Sequence, residues 1–385
     1  MNRKDILIVT RYFWPQCGLT ELALSDLALN LKTAGHDVTI ATVRWSKNWS
    51  ENIEYHGIPI VRFAKPVNGP WSSYRYARLL AKHLATKTYD AVIVSGVGDE
   101  AAATIRCFDE ETPVIIRVDN CTLGSYGSLH RKHVECCLGA DAVIANSPSI
   151  AELFNRVEEM PRVHVVPDGI RSRRVKTDSV GKRQIREAMT AAHPVLQIDH
   201  DQPLAISFVP FEAGSGLLEL VKCWSQVNKR LPRAKLWLLG DGSQSSTIWE
   251  RIVRLDLAHA IVLPGYFDNM DDLFAAADLY IHPASHGCSS AGLIRAMMSG
   301  MEAVSTSVSE LQDFFEVDPQ CQLGNPANWS KIILSHLVDR EVGTQRIKLD
   351  AIREKLTQHY CSQIQVEQYL SLIESRITDQ VAVAK

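Results

Sequence analysis

Short β-branched apolar runs alternate with helical segments along this chain, and that alternation admits few architectures. Asp5 to Thr10 reads DILIVT, a run suited to a strand buried on both faces. A loop with Pro15 and Gly18 follows, then apolar residues at helical spacing from Leu22 to Ala34, ending at Gly35, and a second strand, HDVTIATV. Strand, glycine-containing loop, helix and strand make one βαβ unit, which demands a parallel sheet. The pattern predicts further strands at Ile58–Phe63, Ala91–Ser95, Pro113–Val118, Ala142–Ala145 and Val163–Val166, with helices over 73–86, 129–138 and, capped by Ser147 or Ser149, through Phe154. Ligands of such a domain belong at the carboxyl ends of its strands.

The alternation restarts at Pro203. LAISFV, AKLWLL, AIVL and LYIH read as strands, with helices over 217–229, from Ser246 and over 270–276. Between the blocks, Arg171 to His200 is rich in basic residues and has no long apolar run, which predicts a solvated linker. At 385 residues the chain suits two domains. We expect an N-terminal Rossmann-like domain over 1–170, the basic linker over 171–200, a second Rossmann-like domain over 201–345, and C-terminal helices over 346–385.

A 46% hydrophobic fraction with 22% charged residues supports a sizeable core. The formal net charge of −3 gives no electrostatic reason to expect nucleic acid. Nine cysteines are scattered without C-x-x-C, which predicts reduced thiols and no metal. Neither a signal peptide nor a transmembrane segment is legible, so a cytoplasmic protein is expected.

The stretch that carries the chemistry is Pro283 to Thr306, PASHGCSSAGLIRAMMSGMEAVST. It reads as a strand end, a small-residue loop, a short helix from Ala291 to Met298 and a closing Gly300. Entry through Gly287, Ser289 and Ser290 leaves backbone N–H groups free to meet an anion or polar ligand. By order and spacing across nearly the whole chain, several segments resemble the retaining glycosyltransferases of family 4. They are PQCGLTE with Gly18 and Glu21, Ala140-Asp141-Ala142-Val143-Ile144 before Ser147, VVPDGI, the turn Gly240-Asp241-Gly242-Ser243, the segment ending ADLYIHPAS, and Ala296 to Gly300.

The resemblance implies the GT-B fold: two Rossmann-like domains facing across a cleft, and a last helix (Tyr360–Ile377 by its apolar spacing) crossing back to the first domain. It also implies a nucleotide-sugar donor, a glycan or lipid acceptor as in polysaccharide biosynthesis, and no metal cofactor. Transfer without a protein nucleophile rests on stabilising the leaving diphosphate, for which the family uses an Arg and a Lys after the first strand of domain two. Laid on that pattern, this chain has Pro210 and Ser215. The two glutamates of the donor loop become Gly287 and Arg295, the usual histidine becomes Asp119, and the second entry glycine becomes Leu19.

Three readings follow. A pseudo-glycosyltransferase keeps the fold and serves as a binding or assembly partner of another glycosyltransferase. An active transferase instead uses replacements such as Asp119, His286, Arg295 or the basic linker, with Arg171 among the cleft-lining candidates. A third class, an epimerase of similar architecture, lacks a suitable acid/base pair in the loops. The bland alternatives are an Asx-turn for Asp119, packing for Trp45, Trp49 and Trp71, and an ion pair between Arg295 and Glu302 or Glu310. The residue chemistry favours lost or strongly altered transfer.

Overall fold

The computed structural model describes residues 3–64, 72–84, 86–108, 111–119, 131–157, 160–161, 163–172, 179–267, 270–284, 289–306, 311, 322–338 and 342–383. It divides into two compact α/β units. The first holds residues 1–16, 20–170 and 360–385, and the second holds residues 17–19 and 171–359.

The first unit contains strands β1 (Asp5–Val9), β2 (Asp37–Arg44), β3 (Asn52–Tyr55), β4 (Ile58–Ala64), β5 (Ala91–Ser95), β6 (Val114–Val118), β7 (Ala142–Ala145) and β8 (Val163–Val165). They lie in the order β3-β4-β2-β1-β5-β6-β7-β8. Every pairing is parallel except β3 with β4, where Ile53 faces Ile60 across a hairpin turned at His56 and Gly57. Both turn residues have positive φ (50° and 74°), the geometry of a two-residue hairpin. The helices are α1 (Leu19–Thr33), α2 (Ser72–Leu84), α3 (Asp99–Cys107), α4 (Arg131–Leu138) and α5 (Pro148–Asn155). The side-chain period of two sends Ile6 and Ile8 to one face of the sheet and Leu7 and Val9 to the other, and each face has its own core.

The second unit contains β9 (Leu204–Phe208), β10 (Lys235–Leu239), β11 (Ile261–Gly265), β12 (Leu279–His282) and β13 (Ala303–Ser305). Their order is β11-β10-β9-β12-β13, parallel in every pairing. Its helices are α6 (Ser179–Ala192), α7 (Leu217–Arg230), α8 (Ser245–Arg254), α9 (Met270–Ala276), α10 (Ala291–Ser299), α11 (Trp329–Val338) and α12 (Val342–His359). A last helix, α13 (Ser362–Val383), returns to the first unit, where Val366, Tyr369, Leu370 and Ile373 join the core of Ile6 and Ile8. Burial of each such side chain stabilises the fold by about 1.5–3 kcal/mol, so α13 is integral to that unit.

Two boundaries differ from expectation. The return to the first unit begins at Tyr360, whose carbonyl accepts from Ile170 N–H at 3.1 Å, so α12 stays with the second unit. The basic stretch is not a free linker either. Its described part forms α6, and Arg186 is 2% exposed. The Arg186 guanidinium donates to the carbonyls of Ala276, Asp199, His200 and Gln202 and to the Asp278 carboxylate at 3.0 Å. Lys182 donates to the same carboxylate and to the carbonyl of Ala277.

Candidate functional site

In an open parallel sheet, ligands sit where the strand order reverses. In the second unit, successive strands run from β9 to β10 and β11 on one side, then to β12 and β13 on the other. The reversal therefore falls between β9 and β12, at the loops after Phe208 and His282. A pocket of about 560 Å³ opens there. Its walls include Ser215, Gly216, Glu219, Pro283, Thr306 and Trp329. The volume falls within the range of small-molecule sites.

Backbone proximity shapes this pocket. Gly216, at φ 71°, opens α7, and a Cβ there would lie 2.1 Å from the carbonyl oxygen of Pro283. Only glycine lets the loops after β9 and β12 approach so closely. Ser215 is buried, with its N–H donating to the carbonyl of Glu212 at 3.2 Å. Thr306 Oγ1 donates to the Ala284 carbonyl, and Trp329 Nε1 to that of Gly324 at 3.1 Å. Among the described residues, Glu219 is the one with a charged side chain on the pocket wall.

The turn after β10 is drawn against the loop after β9. Phe211 N–H donates to the Asp241 carbonyl at 3.1 Å, and the Phe211 carbonyl accepts from Gln244 N–H at 2.8 Å. Gly240 and Gly242 make this possible, since a Cβ at either would meet Val209 or Phe211 backbone oxygen within 3.0 Å. Glu212 accepts from the N–H of Ser243 at 2.9 Å and from its hydroxyl, while Asp241 accepts from Gly242 N–H at 2.8 Å and from Ser245 Oγ. The side chains tying this edge together are thus carboxylates and hydroxyls.

Beside them, α10 is buried on all sides from Gly292 to Ser299 and closes at Gly300 with φ 85°. Gly292 lets the helix rest on the Tyr280 hydroxyl, which donates to the Phe208 carbonyl at 2.9 Å. Ser289 and Ser290 are buried at its entry, and Ser289 Oγ accepts from Ala291 N–H at 3.3 Å. Arg295 is 7% exposed, and its Nη1 donates to the carbonyl of Arg171 at 3.1 Å. Glu302, one of its expected partners, is in contact with His336 Nδ1. His286 and Gly287 lie outside the described residues, as do Trp71 and Glu310. Under α10, His282 is fully buried with neither ring nitrogen hydrogen-bonded among the described residues, and burial pushes its pKa down to about 4.

Two candidates remain, Gly18 and Asp119. Gly18 lies in the loop between β1 and α1. Asp119, just past β6, is 4% exposed and accepts from Thr20 Oγ1 and from Arg117 Nη1, both at 2.9 Å. Arg117 also donates to both Asp168 oxygens at 2.8 and 3.0 Å, and Asn146 donates to Asp168 at 3.1 Å. Burial disfavours the Arg117 charge, but the carboxylates of Asp168 and Asp119 outweigh it and hold the guanidinium ionised. The sequence reading missed this hub, although an arginine inside PVIIRV and the aspartate of VPDG were the signal.

Here the strand order reverses between β1 and β5, and an ion pair spans that point. Arg11 Nη1 meets Glu100 Oε1 at 3.0 Å. Burial pushes the Glu100 carboxyl up, against the pull of Arg11. Tyr12 stacks on Trp45 at 4.7 Å, and Trp45 Nε1 donates to the Arg11 carbonyl at 3.1 Å, so Trp45 has a defined packing role. The described cysteines are unpaired by disulfides, and no helix among the described residues is long and apolar enough to cross a membrane.

Comparison with known proteins agrees with this architecture. The signature of Glycosyltransferase Family 4 matches residues 20–174, and that of the group 1 glycosyl transferases matches residues 202–337. A lipopolysaccharide core biosynthesis glycosyltransferase, LpsE of Rhizobium meliloti, is 22% identical over 240 residues, 61% of this chain and 65% of the relative. The N-acetyl-alpha-D-glucosaminyl L-malate synthase of Bacillus anthracis is 22% identical over 194 residues, half of each chain. The chain thus spans less than two thirds of the length of either curated relative. Among solved structures, the sucrose-phosphate synthase of Thermosynechococcus elongatus superposes with a TM-score of 0.69 at 16% identity, covering 100% of both chains. Anabaena HepE in complex with UDP and glucose gives 0.70 at 16% identity, over 97% of this chain and 100% of that one. With two parallel-sheet units, both family signatures in order and these structural neighbours, the chain belongs to the family 4, group 1 glycosyltransferases of GT-B fold.

Proposed function

We propose that this protein descends from nucleotide-sugar-dependent retaining glycosyltransferases and has lost or strongly altered the transfer reaction, acting as a binding or assembly partner of an active glycosyltransferase. The observation that supports this reading is the charge at the carboxyl edge of the second sheet. A leaving diphosphate needs cations there. Pro210 and Ser215 occupy the expected positions, the pocket wall carries Glu219, and Glu212 and Asp241 brace the adjoining turn. Three described basic residues are engaged elsewhere. Lys182 and Arg186 serve Asp278, and Arg295 is buried against the Arg171 carbonyl. Loss of one charge-assisted contact to a transition state costs about 3–4 kcal/mol, so loss of several abolishes ordinary turnover.

The pocket of about 560 Å³ at the strand reversal supports a second reading, an active transferase with rewired contacts and a nucleotide-sugar donor like the UDP-glucose bound to Anabaena HepE. Turnover separates the two. The full chain is incubated with UDP-glucose, UDP-N-acetylglucosamine and GDP-mannose, and nucleotide release is followed by phosphorus NMR. Release at the rate of the protein-free blank is expected. Release above it, lost on Gly216→Val within the pocket, would establish the rewired enzyme instead.

A further inference from the structure

The strand reversal between β9 and β12 has two faces. The pocket opens on the face covered by α7 and α11, where Leu217 and Trp329 join the core of Leu279 and Ile281. Register and the side-chain period of two send Phe208, Tyr280 and His282 to the other face, under α10. That face belongs to the same ligand edge.

Three residues at the entry to α1, Cys17, Gly18 and Leu19, belong to the compact second unit. Cys17 and Leu19 are 5% and 6% exposed. Connecting segments run over the surface, so apolar side chains buried at such a turn need something to pack against. For Leu19 it is the first turn of α10. Its Cδ2 lies 3.5 Å from the Cβ position of Gly292, the same position that is 2.4 Å from the Tyr280 hydroxyl and 2.8 Å from the Phe208 carbonyl. The isobutyl group therefore sits where β9 ends and α10 begins. A glycine at position 19 would leave that space open.

We propose that Leu19 is a built-in plug, an apolar side chain of the chain itself that occupies the α10 face of this edge and excludes a nucleoside diphosphate. The proposal rests on the reading that ordinary transfer is lost, and it adds a steric cause to the missing cations. A leucine offers no hydrogen bond to a phosphate, so plug and ligand cannot share the space. Exclusion of this kind is an equilibrium. A nucleotide enters only the fraction of molecules whose Leu19 has left, and its apparent affinity falls by that fraction. Burial of a leucine side chain favours the seated state about 10- to 100-fold.

The test is titration of the full chain with UDP, the nucleotide in the HepE complex, followed by ligand-observed NMR. Leu19→Ala removes the plug, keeps a good helix former at the start of α1, and should tighten UDP by about tenfold or more. Leu19→Met keeps the volume and should stay within about twofold of wild type. Thermal denaturation checks the fold of each variant. Leu19→Val, one methylene shorter, should gain about fourfold and decides the matter if Leu19→Ala does not fold. Unchanged affinity in the folded shortened variants, or an equal gain in Leu19→Met, would overturn the plug and leave the loss of transfer standing. Nucleotide release from UDP-glucose above the protein-free blank by Leu19→Ala, and not by wild type, would support the plug and overturn the loss of transfer instead.

Discussion

Arg186 Nη2 lies 3.0 Å from Asp278 Oδ2, in a site where the arginine is 2% exposed and the carboxylate also accepts from Leu204 N–H at 2.8 Å. One aspartate thus anchors α6, the start of β9 and the start of β12. Removing the arginine strands four carbonyl acceptors and leaves the buried Asp278 carboxylate to Lys182 and the Leu204 N–H. Arg186→Ala is expected to destabilise the second unit by about 3–5 kcal/mol, read as a lower urea midpoint. Breaking an exposed pair such as Arg183–Glu187 should leave the urea midpoint nearly unchanged.

The Arg117 hub should respond unequally to loss of its parts. Arg117→Met leaves Asp119 and Asp168 buried side by side and is expected to cost about 3–5 kcal/mol. Asp119→Asn keeps the Asp168 pair and the Thr20 hydrogen bond, so a loss of about 1–2 kcal/mol is expected. Comparable losses in the two variants would show that Asp119, not Arg117, organises the site.

His282 makes stability depend on pH. Its folded pKa, about 4, lies below the unfolded value near 6.5, so the native state binds fewer protons between them. Stability is therefore full above pH 6.5 and falls as pH drops toward 4, by about 3 kcal/mol in total. Denaturant midpoints at pH 7.5 and pH 5 measure it. His282→Leu should flatten that slope, and an unchanged slope would place the acid sensitivity elsewhere.

Gly292 and Gly216 test the close approaches at the second sheet's edge. A Cβ on Gly292 would sit 2.4 Å from the Tyr280 hydroxyl and 2.8 Å from the Phe208 carbonyl. Gly292→Ala should break that hydrogen bond and cost about 2–3 kcal/mol. Gly216→Ala combines a backbone collision with positive φ and should cost at least as much, by thermal denaturation.

Much of this was legible in the chain. Runs such as DILIVT and LYIH placed buried strands because both faces of a parallel sheet demand continuous apolar sequence. Gly240, Gly242 and Gly300 marked turns that they do make, since positive φ or a close contact excludes other residues there. The hairpin at His56–Gly57 was missed because its strands are short and one is an exposed edge. Helix α6 was missed because its burial depends on polar side chains: Lys182 and Arg186 face a carboxylate and main-chain carbonyls, which leaves no apolar period to read. The fate of Asp119 and Arg295 was equally hidden, because a charge's partners come from distant segments. His286 and Gly287 stay outside the described residues.

The central claim is that the second unit no longer holds a nucleoside diphosphate, and calorimetric titration of the full chain with UDP and GDP tests it most directly. No saturable heat at millimolar ligand is predicted, since a Kd tighter than about 1 mM requires more than about 4 kcal/mol from a rim without the expected cations. Saturable binding of either nucleotide at micromolar Kd, weakened by Gly216→Val at the pocket, would contradict it.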